Sequence, residues 1–154
     1  MAFGAHSPTR RFRVDINPPC ILKGIMKMSH KPNQYNTVSP YLIVNGAERT
    51  IKFLDGVFGA TVLRKIPGKL GRVVHAEVRI DDTVIMLAEA MPPEWPAVDA
   101  HVHIYVPNVD ETYQKALAAG AMSVQEPVKK EDADKRGAVQ DAGGTTWWIA
   151  TKVE

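Results

Sequence analysis

The chain has 154 residues, 45% apolar and 23% charged, the composition of one soluble globular domain, and no apolar run approaches the roughly 18 residues of a membrane span. Its net charge of +2 is unevenly spread: residues 1–31 carry six basic side chains against the single acid Asp15, and the remainder carries 13 against 16. The folded body is therefore mildly acidic, which argues against a nucleic-acid partner, since that needs a basic face on the domain itself.

Residues 1–34 read as an N-terminal extension, expected to be disordered. Pro18-Pro19 interrupts any signal-peptide core, and a true start at Met26 or Met28 would leave much of it untranslated. Its arginines and few acids also fit a transit peptide. The one cysteine, Cys20, lies there, excludes an intrachain disulfide and fits a reducing cytoplasm.

The domain is expected over 35–154. Ser39–Asn45 reads as a strand with Pro40 near its start. A helix follows over about Ala47–Phe58, with Ala47, Ile51, Leu54 and Phe58 on one face and Gly59 as its stop. Thr61–Ile66 is a strand, Pro67-Gly68 a turn, and Arg72–Ile80 with Thr83–Ala88 a hairpin around Asp81-Asp82. Module one spans about 37–90. The proline-rich stretch 91–98 is a linker, expected to be extended. Module two, about 99–154, restarts the series. It holds a strand His101–Val106, a helix Val109–Ala119, a strand Met122–Val128, a charged loop Lys129–Arg136, a short strand near Ala138–Gln140, a turn at Gly143-Gly144 and a strand Thr145–Thr151.

The restart is a repeat. A shift of 62 positions lays Ser39 on His101, Val44 on Val106, Thr50 on Thr112, Thr83 on Thr145 and Met86 on Trp148. The Gly-Ala pair after each helix slips by one residue, from Gly59-Ala60 to Gly120-Ala121. Two βαβββ units in so short a chain imply a pseudo-symmetric α+β domain with a cleft between or within its halves.

Strand alternation then sorts the side chains. Helices pack on Leu42, Val44, Val102, Ile104 and Val106. A two-residue turn pairs Ile80 with Thr83 and sets Glu77 opposite Met86. The face without helices gathers Tyr41, His75, Glu77, Arg79, Met86, His101, His103, Tyr105 and Trp148. So many rings and imidazoles on one face suggest a curved sheet enclosing a ligand cavity, with a partly solvated sheet face as the alternative.

These residues resemble the vicinal-oxygen-chelate superfamily of glyoxalases, bleomycin-resistance proteins and dioxygenases, and its PhnB-like branch most. The matching stretches are Ser39-Pro40-Tyr41-Leu42-Ile43-Val44-Asn45-Gly46-Ala47, Phe58-Gly59-Ala60, Val74-His75-Ala76-Glu77-Val78-Arg79-Ile80, Val84-Ile85-Met86-Leu87-Ala88 and Asp141-Ala142-Gly143-Gly144. The resemblance covers about residues 35–152. It implies tandem βαβββ modules forming a curved eight-stranded mixed sheet with helices on the outer face, commonly in a homodimer. It also implies a metal ligand from the first and last strand of each module, which transfers to Ser39, Met86, His101 and Trp148. Only His101 of these is a competent ligand, so no metal and no other cofactor is expected.

The resulting expectation is a cytoplasmic homodimer that sequesters a small, partly aromatic molecule, as bleomycin-resistance proteins do. Tyr41, His75, Met86, His101, His103, Tyr105 and Trp148 are its candidate ligand contacts. Trp148 offers a flat apolar surface, and Trp147 is expected in the core. The alternative is a glyoxalase- or dioxygenase-like lyase or isomerase. It would use His101 and Glu77 catalytically, with His75 and His103 completing an unorthodox divalent-metal site. Glu77 and Arg79 are also a candidate internal ion pair. Arg136 is a candidate for steering an anionic ligand from a mobile loop.

Overall fold

The computed structural model describes residues 30–154, and Lys31–Glu154 form one compact unit. The expectations for residues 1–29, including Cys20, lie outside the described residues. The elements follow in the order β1 (Tyr41–Val44), α1 (Ala47–Phe58), β2 (Thr61–Pro67), β3 (Val73–Ile80), β4 (Thr83–Glu89), β5 (Ala100–Tyr105), α2 (Val109–Ala118), β6 (Met122–Lys129), β7 (Asp134–Gln140) and β8 (Thr145–Lys152).

Eight strands form two four-stranded mixed sheets, ordered β1-β4-β3-β2 and β5-β8-β7-β6. Each is one βαβββ module, so the α+β architecture stands, with the eight strands hydrogen-bonded as two open four-stranded ladders, not one continuous eight-stranded sheet. Within a module the first strand runs parallel to the last and the other pairs are antiparallel. The repeat is visible in the ladders: Tyr41 sits opposite Met86, and its shifted counterpart His103 sits opposite Trp148. The hairpin register also holds, with Ile80 opposite Thr83 and Glu77 opposite Met86.

α1 forms because its buried residues Ala47, Thr50, Ile51, Phe53, Leu54 and Val57 fall on one stripe. Its first turn starts after Gly46, which lacks a side chain to cap it. The Glu89 carboxylate at the end of β4 takes that role, accepting from Gly46 N and Ala47 N at 2.7 Å each. Gly59 ends the helix at φ 66°, a left-handed conformation that favours glycine. α2 is capped by Asn108, whose side chain accepts from Glu111 N at 3.1 Å.

One core joins the modules. α1 lies against α2, and Phe58 packs on Trp147 with ring centroids 5.2 Å apart. Trp147 is fully buried on the helix side of β8, as expected. Its indole N–H donates to Asp141 Oδ2 at 2.9 Å, and Asp141 Oδ1 accepts from Gly143 N and Thr145 N. This carboxylate therefore organises the last turn. Gly143 is needed there because a Cβ would stand 2.5 Å from Thr50 Oγ1 of α1.

Three expectations change. The first strand begins at Tyr41, which leaves Ser39 outside the ladder. The charged run is a loop only over residues 130–133, and from Asp134 it is β7, where Asp134 and Arg136 alternate with Lys135 across the sheet. The linker is a tight loop, not extended, because Met91 and Trp95 exchange backbone hydrogen bonds.

Candidate functional site

On module one, β3 and β4 raise a polar cluster on the face without a helix. Glu77, 7% exposed, is its centre. Its Oε2 accepts from Tyr35 Oη at 2.5 Å, its Oε1 lies 3.1 Å from His75 Nε2, and Arg64 stands 3.9 Å away. The Tyr35 hydrogen bond holds the Glu77 carboxyl below its ordinary pKa, with His75 assisting and burial opposing. The same hydrogen bond raises the Tyr35 phenol. Tyr41 meets the edge of the His75 ring at 5.6 Å, with Oη 3.4 Å from Nδ1. Arg79 pairs with Gln34, donating to Oε1 at 2.9 Å and to the backbone oxygen at 3.0 Å, rather than with Glu77. Its Nε is buried without a partner. Met86 lies half-buried opposite Glu77.

On module two, β5 and β8 present a second cluster. Trp148 Nε1 donates to His101 Nδ1 at 3.0 Å, and the two rings stack with centroids 6.2 Å apart and planes inclined by 22°. With Nδ1 accepting, a neutral His101 carries its proton on Nε2. His103 packs against Tyr105 at 4.8 Å. Tyr105 donates to Asp134 Oδ2 at 2.8 Å, and this bond raises its phenol pKa. Arg136 bridges Asp132 and Asp134 at 2.9 and 3.3 Å, and these carboxylates raise the Arg136 pKa. Arg136 is thus held on β7 between two acids, and the anion-steering role expected of it in a mobile loop has no loop to act from.

The sequence-predicted residues therefore gather in two groups. Tyr41, His75, Met86 and Glu77 share one face, and His101, His103, Tyr105 and Trp148 share the other. Their hydrogen bonds and ring contacts stay within their own modules. Module two's group is open: His101, His103 and Tyr105 are exposed and Trp148 is half-buried. A cavity of about 400 Å³ lies between the β3–β4 hairpin and β5, lined by Ile80, Ile85, His103, Tyr105 and Trp147 among others. Of the expected ligand contacts only His103 and Tyr105 border it. Among the described residues no three His, Cys, Asp or Glu side chains stand close enough to hold a metal ion.

Sequence reasoning missed Gln34, Tyr35, Asn36 and Asp134. No periodicity marks 34–36, so nothing in the sequence placed them on the sheet. Asp134 sits in a charged stretch, Asp134-Lys135-Arg136, without apolar alternation, so its place on a strand left no signal either. No helix of the described residues is long and apolar enough to cross a membrane.

Comparison with known proteins fits this geometry. The family model of the Glyoxalase/Bleomycin resistance protein/Dioxygenase superfamily matches residues 33–149. The protein Mb0911c of Mycobacterium bovis is 30% identical over 126 residues, covering 75% of this chain and 83% of that protein. TioX from Micromonospora sp. ML1 superimposes with a TM-score of 0.65 at 24% identity, covering 76% of this chain and 98% of TioX. TnmS3, an antibiotic binding protein from Streptomyces sp. CB03234, does so with a TM-score of 0.58 at 18% identity, covering 77% and 99%.

Proposed function

The chain belongs to the glyoxalase/bleomycin resistance protein/dioxygenase superfamily, and from that premise we propose that it binds and sequesters a small, partly aromatic molecule without a metal. The observation that carries this reading is the stacked, hydrogen-bonded His101–Trp148 pair at two positions where the metal enzymes of the family place ligands. An indole has no lone pair to give a cation, and it engages the one His101 nitrogen that has a lone pair. Ser39 and Met86, at the other two positions, are poor donors for zinc, nickel or iron. What this pair offers is a flat, half-exposed aromatic platform with an imidazole N–H beside it. TnmS3, an antibiotic binder of the same fold, supports a binding role by analogy.

In this reading a second copy covers the open faces in a cytoplasmic homodimer. The exposed rings of Tyr41 and Tyr105, 49% and 62% accessible in the single chain, are the surface it would bury. The test is quenching of tryptophan fluorescence by planar aromatic compounds such as 2-naphthol and 8-hydroxyquinoline. Saturable quenching that Trp148→Ala abolishes is the expected result. Quenching that survives in Trp148→Ala refutes the platform.

A further inference from the structure

The two modules are near copies, yet their open faces are treated differently. On module one, three consecutive residues ahead of β1 lie across the sheet, and each offers one polar side chain. Gln34 gives its carbonyl oxygen and backbone oxygen to Arg79, Tyr35 gives its hydroxyl to Glu77, and Asn36 accepts from Val84 N at 2.9 Å. None of the three joins a strand, and Gln34 is held at φ 66°. On module two the matching stretch, residues 96–98, is drawn instead to the edge of β1, where Val98 N donates to Ile43 O at 3.0 Å. There His101, His103 and Tyr105 of β5 stay bare, as does Tyr41 of β1 on module one, the counterpart of His103. Residues 34–36 lie over Glu77, Arg79 and Val84 of β3 and β4.

We propose that Gln34–Asn36 is a strap that fills the ligand site of module one with a stand-in, and that the ligand displacing it carries a phenolic hydroxyl for Glu77 and His75 and a carbonyl oxygen for Arg79. This rests on the reading that the open faces take a small molecule, and it names that molecule's chemistry at one of them. The groups under the strap are those of a recognition site: a buried carboxylate backed by an imidazole, and a guanidinium with one N–H still unpartnered. A carboxylate accepting from a phenol forms a charge-assisted bond, and leaving that acceptor empty is costly, so phenol is favoured over phenyl. Gln34 and Tyr35 bond side chains, Arg79 and Glu77, whereas Asn36 bonds the backbone of Val84; a soluble ligand with a phenol and a carbonyl replaces the bonds of Tyr35 and of the Gln34 side chain. Competition of this kind lowers apparent affinity by the fraction of molecules with the site open.

The test uses the full chain and isothermal titration with N-acetyltyrosinamide, which carries a phenol and amide carbonyls, against N-acetylphenylalaninamide, which lacks the hydroxyl. In Tyr35→Ala the tyrosine probe binds about tenfold more tightly than in the parent, as expected for a site about nine-tenths closed. Tyr35→Phe, which keeps the ring packed and removes only the hydroxyl, gives a smaller gain and guards against misfolding of the alanine variant. Adding Glu77→Leu to Tyr35→Ala, which takes away the acceptor, removes the preference for tyrosine over phenylalanine. Unchanged or weaker binding in both Tyr35 variants overturns the strap, and a preference that survives Glu77→Leu overturns the assigned chemistry. Repeating Tyr35→Ala in a Trp148→Ala background separates this from the platform reading. The gain persists there if the strap is right, whether or not Trp148 quenching was observed.

Discussion

Glu77→Gln is the substitution that reports most on module one's cluster, because it keeps the shape of the side chain and removes its charge. The carboxylate is 7% exposed and accepts two hydrogen bonds, from Tyr35 and from His75. Bonds to a charged group contribute about 1.5–3 kcal/mol each, and neutral ones about 0.5–1.5. Converting two of them costs about 2–3 kcal/mol. Relief of the buried charge offsets part of this, and Arg64 adds little, being 3.9 Å away on a side chain 61% exposed. The expected loss at pH 7 is therefore about 1–2 kcal/mol, or a melting temperature about 4–8 °C lower for a domain of this size. The sign of the pH dependence follows from the shifts. Glu77 is depressed, so its stabilisation is present above the ordinary carboxyl range and is lost as pH falls through its lower folded value. Tyr35 is raised, so its share is present below the ordinary phenol range and is lost as pH rises through its higher folded value. Urea midpoints taken from acid to alkaline pH should show the parent losing stability at both shoulders, and Glu77→Gln should flatten both. An unchanged midpoint at pH 7, or acid and alkaline slopes the same as the parent's, refutes the reasoning.

Three stability predictions test the scaffold. Asp141→Ala leaves Gly143 N, Thr145 N and the Trp147 indole without their buried acceptor, and thermal melts should show a loss of about 3–5 kcal/mol. Glu89→Ala uncaps α1 and should cost about 1–2 kcal/mol by urea titration, with Glu89→Gln costing less. Gly143→Ala drives a Cβ into Thr50 Oγ1 and should cost about 1–3 kcal/mol, of which Thr50→Ala in the same chain restores part.

Most of the fold was legible because local periodicity and tertiary packing agree. The stripe of α1, the Gly59 stop and the two-residue turn at Asp81-Asp82 each dictate their own geometry, and the turn fixes Glu77 opposite Met86. The start of β7 was hidden by its charges. Asp134 and Arg136 look like loop residues in composition, yet they neutralise each other on the sheet, and Asp134 accepts from Tyr105. The site was half legible. Alternation gives the face of the candidates within strands, and Tyr41, His75, Glu77, Met86, His101, His103, Tyr105 and Trp148 lie on strands, while Ser39 falls ahead of β1. How the two faces stand relative to each other depends on helix and core packing between modules, which alternation does not encode. The strap was illegible for a related reason: Gln34, Tyr35 and Asn36 are held by polar side-chain contacts to residues more than 40 positions away, and such contacts leave no pattern in their own segment.

Whether the His101–Trp148 pair has replaced an ion centre is tested most directly by elemental analysis. Untagged protein is equilibrated with zinc, nickel and iron, dialysed free of excess, and measured beside its His101→Ala variant. The proposed function predicts metal well below one equivalent and equal in the two proteins. One equivalent in the parent, lost on His101→Ala, contradicts it and restores the family's metal chemistry to this chain.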